Sequence, residues 1–223
     1  MTRIGVVLSL AMVGVLAGCA SATDDAAPAP TPSTSSPTPT PSAPPTKPEL
    51  SELVLSPDGL GPLLIGAAPQ ATDPAIDAAV FDPDYCADYP DVAEPGHWVP
   101  NYPDVNGVKP FGVSVHQGAV SRLDVYGDDI STSVGIHLGS SHDELLAAYP
   151  GGFTETLDLD DVVVYVLVGT QGRMSFEVAT ANGDYAWEQE RIDTVILMRT
   201  EEVDARTRSI AFNDDRIGFC ELM

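Results

Sequence analysis

Hydrophobic and polar positions alternate along two neighbouring stretches of the chain. Phe111, Val113 and Val115 lie two apart within 110–116, and Val120, Leu123 and Val125 fall within 119–126. Both patterns predict strands, joined around Gln117-Gly118. A second group of strands is predicted over 162–168, 174–179 and 192–198, with turn signals at Gly169-Thr170-Gln171-Gly172 and Asn182-Gly183. Residues 163–168 are apolar on both faces, which predicts a central, covered strand. Helical spacing appears where Leu145, Ala148 and Tyr149 share one face. Ser141 with Glu144 forms a capping box ahead of them, Asp143 and Glu144 suit the positive end of the helix, and Pro150-Gly151-Gly152 stops it. A shorter helix is predicted over 73–80, with Asp73 as cap, Pro74 in the first turn, and Ile76 and Val80 on one face.

Each predicted helix follows a glycine-bracketed apolar passage. The first is Leu60-Gly61-Pro62-Leu63-Leu64-Ile65-Gly66 and the second is Val134-Gly135-Ile136-His137-Leu138-Gly139. The order is glycine loop, short helix, antiparallel strands, and then the same again. The predicted fold is α+β: short helices packed on an antiparallel sheet, in two tandem helix-plus-strands units over 50–127 and 128–223. This twofold order resembles the tandem fold of β-lactamase inhibitor protein and the single-unit fold of small bacterial envelope-assembly lipoproteins. The resemblance is nearest in 132–198. In the first unit, residues 67–72 intervene before the helix and a long loop over 82–109 follows. The resemblance implies action by binding another protein. No inhibitor-specific motif is present, so no inhibitory residue is carried over.

The amino terminus has a different pattern. Arg3 is the sole charge before an apolar run over 4–17, too short to cross a bilayer comfortably and fitted to a secretion signal. The run ends in Leu16-Ala17-Gly18-Cys19, which resembles the lipobox of bacterial lipoproteins. That resemblance implies cleavage between Gly18 and Cys19, a diacylglyceryl group on the Cys19 thiol, and a place on the extracytoplasmic side of the cell membrane. Two acyl chains anchor stably where one binds only marginally. The expected division is a signal peptide over 1–18, lipidated Cys19 and a linker over 19–49, and a folded region over 50–223. Nine of the 21 residues over 28–48 are Pro, and the apolar side chains there are all Ala. Such a stretch buries too little area to offset its ordering entropy. In the extended limit, residues 20–48 would reach roughly 90 Å.

Charge then narrows the function. The chain has 10 basic and 33 acidic residues, a formal −23. Residues 50–223 hold 8 basic and 30 acidic residues, or −22. A phosphate-binding surface needs a basic face, so nucleic acid is excluded as a partner, and so is adhesion to anionic lipid by a polybasic patch. Most of the acid is expected to be solvated surface.

With Cys19 committed to lipid, Cys86 and Cys220 remain. In an oxidising compartment an even pair reads as a disulfide, with two buried free thiols as the alternative. Such a bridge would close a loop of about 130 residues and contribute ~4–5 kcal/mol. His97, His116, His137 and His142 make no zinc spacing, and no nucleophile elbow or phosphate loop is present. Asp82-Pro83-Asp84 with Asp88 and Asp91 lacks the Gly and Glu of a calcium loop, and Asp158, Asp160 and Asp161 read as solvated. No metal or cofactor is expected. Tyr85, Tyr89, Trp98 and Tyr102 lie close together among Pro, Gly and Asp and are the candidate binding residues; the plainer reading is that Trp98 and Tyr102 plug the side of the sheet. The expected function is a non-catalytic protein-binding module with an envelope or secreted protein as partner. The alternatives are an inhibitor of a secreted enzyme and a hydrolase with an unrecognised triad.

Overall fold

The computed structural model describes residues 46–69, 75–88, 96–105, 107–159, 161–180, 191–206 and 217. The chain divides into Met1–Ser42 and Ala43–Met223, and every described residue belongs to the second unit. The signal segment, Cys19 and the linker up to residue 45 lie outside the described residues.

The fold is mostly β, which corrects the α+β expectation. Twelve strands in three sheets stand against one α-helix among the described residues. The strands are β1 (Val54–Ser56), β2 (Gly59–Leu60), β3 (Leu63–Leu64), β4 (Ala79–Asp82), β5 (His97–Pro100), β6 (Phe111–His116), β7 (Ala119–Val125) and β8 (Ser131–Thr132). The helix α1 (His142–Ala148) is followed by β9 (Glu155–Asp158), β10 (Val162–Val168), β11 (Gly172–Ala179) and β12 (Val195–Glu202). The helix expected over 73–80 is replaced at its end by β4. Seven or eight residues nucleate a helix poorly without tertiary support. β-branched Val80 and aromatic Phe81 find cross-strand partners in Val99 and Trp98, which an extended backbone satisfies better. Asp73 and Pro74 lie outside the described residues. The two units are therefore not a pair of helix-plus-strands modules.

The glycine passages nevertheless hold equivalent places. Gly66 N donates to Val120 O and Val120 N to Ala67 O, both at 2.8 Å. In the same way Gly139 N donates to Val195 O and Val195 N to Ser140 O, both at 2.8 Å. Each passage thus clips onto one strand, β7 or β12, and those two strands are antiparallel neighbours. β1 and β8 also run parallel, with Val54 opposite Ser131 and Leu55 opposite Thr132.

The large sheet has the order β6-β7-β12-β11-β10-β9, antiparallel throughout, and the small sheet the order β3-β2-β1-β8. Gln117 and Gly118 join β6 to β7 with φ of 52° and 81°. Two successive positive φ values match the twist of a tight hairpin. One face of the large sheet carries Phe111, Leu123, Phe176 and Met198 into a single core, closed by Leu55 and Leu60 of the small sheet and Leu145 of α1. In α1, Ser141 Oγ accepts from Glu144 N at 3.2 Å, and Glu144 Oε2 accepts from Ser141 N at 2.8 Å. The bond from Ser141 N, and then one from the Ser141 hydroxyl to Glu144 Oε2 at 2.8 Å, hold the exposed Glu144 carboxyl below the usual carboxylate range.

The opposite face carries charge into the interior. Arg122 grips Asp124 through two bonds, Nε to Oδ1 at 2.8 Å and Nη2 to Oδ2 at 2.6 Å. Arg199 has no exposed surface; its Nε donates to Ser175 Oγ at 3.0 Å and lies 3.5 Å from Glu201, and its Nη1 lies 3.8 Å from Glu177. Arg173 pairs with Glu155 at 3.3 Å and bonds to Ala205 O. Burial lowers the Arg199 pKa, and Glu201, Glu177 and Asp124 oppose that shift. The expectation that acid means solvated surface therefore fails for Asp124, Glu177 and Glu201, all buried. Beside this belt, Val162, Val164, Val166, Ala179 and Ile196 form a second apolar cluster.

Leu145→Ala should lower the unfolding free energy by about 2–5 kcal/mol, since its side chain is fully buried. Ser141→Ala should cost about 1 kcal/mol through the lost cap. Urea denaturation read by circular dichroism measures both.

Candidate functional site

The aromatic residues singled out in the sequence fall on a two-stranded ribbon, β4 paired with β5. Its register sets Ala79 opposite Pro100, Val80 opposite Val99, Phe81 opposite Trp98 and Asp82 opposite His97. Ala78, Ala79 and Val99 are buried and seat the ribbon against the protein. Trp98 is half-buried and packs on the main core. Phe81 is 51% exposed and meets the Trp98 ring edge-on, with centroids 5.9 Å apart. The pair thus has a foot in the core and a head in solvent. Such directly opposed aromatic pairs contribute about 0.2–1 kcal/mol to a ribbon. Phe81 was not among the residues marked from sequence, because 73–80 reads as a helix and Phe81 then falls just past its end.

The turn after β4 is built from acid. Asp84 N donates to Asp82 Oδ1 at 3.0 Å, the side-chain-to-backbone bond that favours Asp in turns. Tyr85 follows, half-buried, its ring 6.1 Å edge-on from His97. Gly96 N closes onto Tyr85 O at 3.0 Å. Gly96 has φ +102°, and a Cβ there would stand 2.9 Å from the Phe81 ring, so a side chain at this position would displace the exposed aromatic. Cys86 is buried at φ 65° and disulfide-bonded. Asp84 and Asp88 are exposed and Asp82 half-exposed, so the turn that follows Phe81 is negative. Tyr89 and Asp91 lie outside the described residues.

Tyr102 has another place. It is 8% exposed, and its ring meets Phe111 edge-on at 6.0 Å. Its hydroxyl donates to Pro48 O at 2.9 Å, and Lys47 Nζ sits 4.7 Å above the ring. Lys47 Nζ also donates to Asn101 O at 2.5 Å, and Asn101 Nδ2 to Asp77 O at 2.9 Å. Tyr102 thus fastens the incoming chain to the base of the ribbon and offers little surface to a partner. Burial, then the nearby Glu49 and Glu52, push its phenol up to about 12.

The four histidines are dispersed. His116 is exposed at the end of β6, and His97 is half-buried on β5. His137 Nδ1 lies 2.8 Å from Leu138 O. His142 Nε2 lies 2.6 Å from the Tyr165 hydroxyl, whose pKa is raised by burial and by Asp158. Among the described residues, no three His, Cys, Asp or Glu side chains are grouped to hold a metal ion. No described helix is long and apolar enough to cross a membrane.

No family model matches the chain, and no curated protein is similar to it. Among solved structures, the uncharacterized protein yfeY from Escherichia coli aligns with a TM-score of 0.38 and 15% identity, over 67% of this chain and 99% of that one. Similarity at that level carries neither fold nor role to this chain.

The Tyr102 phenol favours its neutral form in the folded state. Its contribution to stability is present below about pH 10 and is lost between about 10 and 12. An alkaline ultraviolet titration should therefore show late phenolate steps, of which Tyr102→Phe removes the one at about 12 and leaves those of Tyr149 and Tyr165, both also raised by burial. The same variant should cost about 0.5–1.5 kcal/mol in urea through the lost bond to Pro48.

Proposed function

We propose that this is an extracytoplasmic lipoprotein, anchored through diacylglyceryl-Cys19, whose β domain works by contact: the β4–β5 ribbon docks a cationic protein surface. The observation that carries the docking reading is Phe81, half in solvent and backed by Trp98. An exposed aromatic on a rigid support loses little side-chain freedom on binding, which is why such residues dominate interface energetics. The chemistry of the partner follows from charge. Asp82, Asp84 and Asp88 follow the aromatic in the chain on a domain of formal charge −22, a field that attracts a basic surface and repels an acidic one. Apolar contact at Phe81 supplies affinity; the acidic turn supplies orientation and encounter rate.

The anchor rests on Leu16-Ala17-Gly18-Cys19 after a short apolar run. The Pro-rich linker would give the domain a radius of action of roughly 90 Å in the extended limit. Within that radius the domain meets its partner at a raised local concentration, so modest affinity suffices.

Mass spectrometry of the mature protein should show Cys19 as the first residue, carrying a diacylglyceryl group. An unmodified thiol there would contradict the anchor. A photo-crosslinking phenylalanine analogue at position 81, in cells that produce the protein, should give an adduct with a basic protein. The same analogue at Val168, 49% exposed elsewhere, should not. The adduct should fade with added salt and with Asp82→Asn/Asp84→Asn. Equal adducts from both positions, or a yield indifferent to salt, would contradict the docking reading.

A further inference from the structure

The incoming chain meets the ribbon before it meets the core. Lys47 Nζ donates to Asn101 O at 2.5 Å and lies 4.7 Å above the Tyr102 ring, and Pro48 O accepts from the Tyr102 hydroxyl at 2.9 Å. Asn101 and Tyr102 are the two residues that follow β5. Asn101 reaches across to the approach of β4: its N donates to Ala78 O and its Nδ2 to Asp77 O, both at 2.9 Å. Lys47 and Pro48 therefore fasten to the point where both strands of the ribbon are joined. Main-chain fastening begins only after them. Glu49 N donates to Glu52 Oε2 at 2.8 Å, Glu52 N and Leu53 N close the turn Leu50–Glu52 on Glu49 O and Leu50 O, Leu53 is buried, and β1 starts at Val54.

That order has a mechanical consequence. A pull arriving along the chain from residue 46 loads these attachments one after another. The first are made through the side chains of Lys47 and Tyr102: one charge-assisted bond, one cation–π contact and one phenol bond, each weak by itself and opened singly. β1 lies between β2 and β8 and carries buried Leu55, so it yields only with the small sheet and the core. The first loss under load therefore withdraws Lys47 from Asn101 and uncovers Tyr102, at the foot of β5. We infer that residues 47–48 are a strap on the docking ribbon: tension in the tether peels the strap, loosens the support of Trp98 and Phe81, and releases a bound partner while the core stays closed. An anchor aromatic binds well because its support is rigid, so a loosened ribbon holds its partner less tightly. Peeling residues 47–49 lengthens the tether by up to about 10 Å. The strap stands on the contacts above; the release of a partner rests on the proposed anchor and docking.

The test uses the full chain and needs no partner, so its failure is separable from failure of the docking reading, which the crosslink at Phe81 addresses. Lys47→Met keeps the aliphatic stem and loses the charged donor; Tyr102→Phe keeps the ring and loses the bond to Pro48. In hydrogen exchange, both variants should speed the amides of residues 97–99 and 101 by roughly threefold or more beyond any change at 164–166 in β10, because the opening is local to the ribbon. Equal factors in the two regions, or ribbon amides unchanged in both variants, would overturn the strap. A force ramp between handles at Thr46 and Thr170, both exposed, should give an early extension of up to about 10 Å ahead of the main unfolding step. Lys47→Met should move that extension to lower force. A parent without the early extension, or an extension indifferent to Lys47→Met, would overturn release by tension.

Discussion

Arg199 holds the structure's second face together. It lies on β12, next to the strand pair where the two halves of the chain meet, with no exposed surface. A guanidinium in that position is costly unless carboxylates surround it. Glu177 from β11, Glu201 from β12 and Asp124 from β7 supply them, and Arg122 in turn neutralises Asp124. The belt thus spans three adjacent strands and fixes their register, because a slip of one residue would turn every charge into the apolar core. Three arginines, Arg122, Arg173 and Arg199, are thus held inside beside carboxylates, although the domain carries only 8 basic residues against 30 acidic ones.

With both faces buried, the sheet is a rigid platform, and the proposed docking surface is carried beside it. The ribbon adjoins the β6 edge, fastened at its base by Tyr102, Lys47 and Asn101. The residues that leave the linker are therefore the ones that brace the ribbon. A pull on the chain at Lys47 acts directly on the support of Trp98 and Phe81. Under the proposed function, this joins the tether to the contact made at the ribbon.

The strands with one plain face were legible. β6, β7 and β10 lie within a residue or so of their apolar alternation, and the α1 cap matches Ser141 and Glu144. Two features hid the rest. β12 was expected to end at 198 but runs to Glu202, because Arg199 and Glu201 alternate with core residues and so read as loop. The short strands of the small sheet have two or three residues each, too few to show any period, and β1 pairs in addition with the distant β8. At the candidate site, Trp98 is half-buried on β5 and packs on the main core. Tyr102 looked equivalent to it, and what separates them is tertiary: Pro48 and Lys47 cover one and solvent meets the other. Phe81 is hidden because local spacing favours helix, while the partner that makes it a strand, Trp98, lies seventeen residues away in sequence.

The belt is the constraint on which register, core and ribbon support depend, and equilibrium unfolding of two variants tests it. Arg199→Met alone should lower stability by about 3–5 kcal/mol, because Glu177 and Glu201 are left buried and uncompensated. Arg199→Met with Glu177→Leu and Glu201→Leu should recover most of that loss, since no charge is then stranded. A single variant within about 0.5 kcal/mol of the parent, or a triple variant no better than the single, would contradict the account.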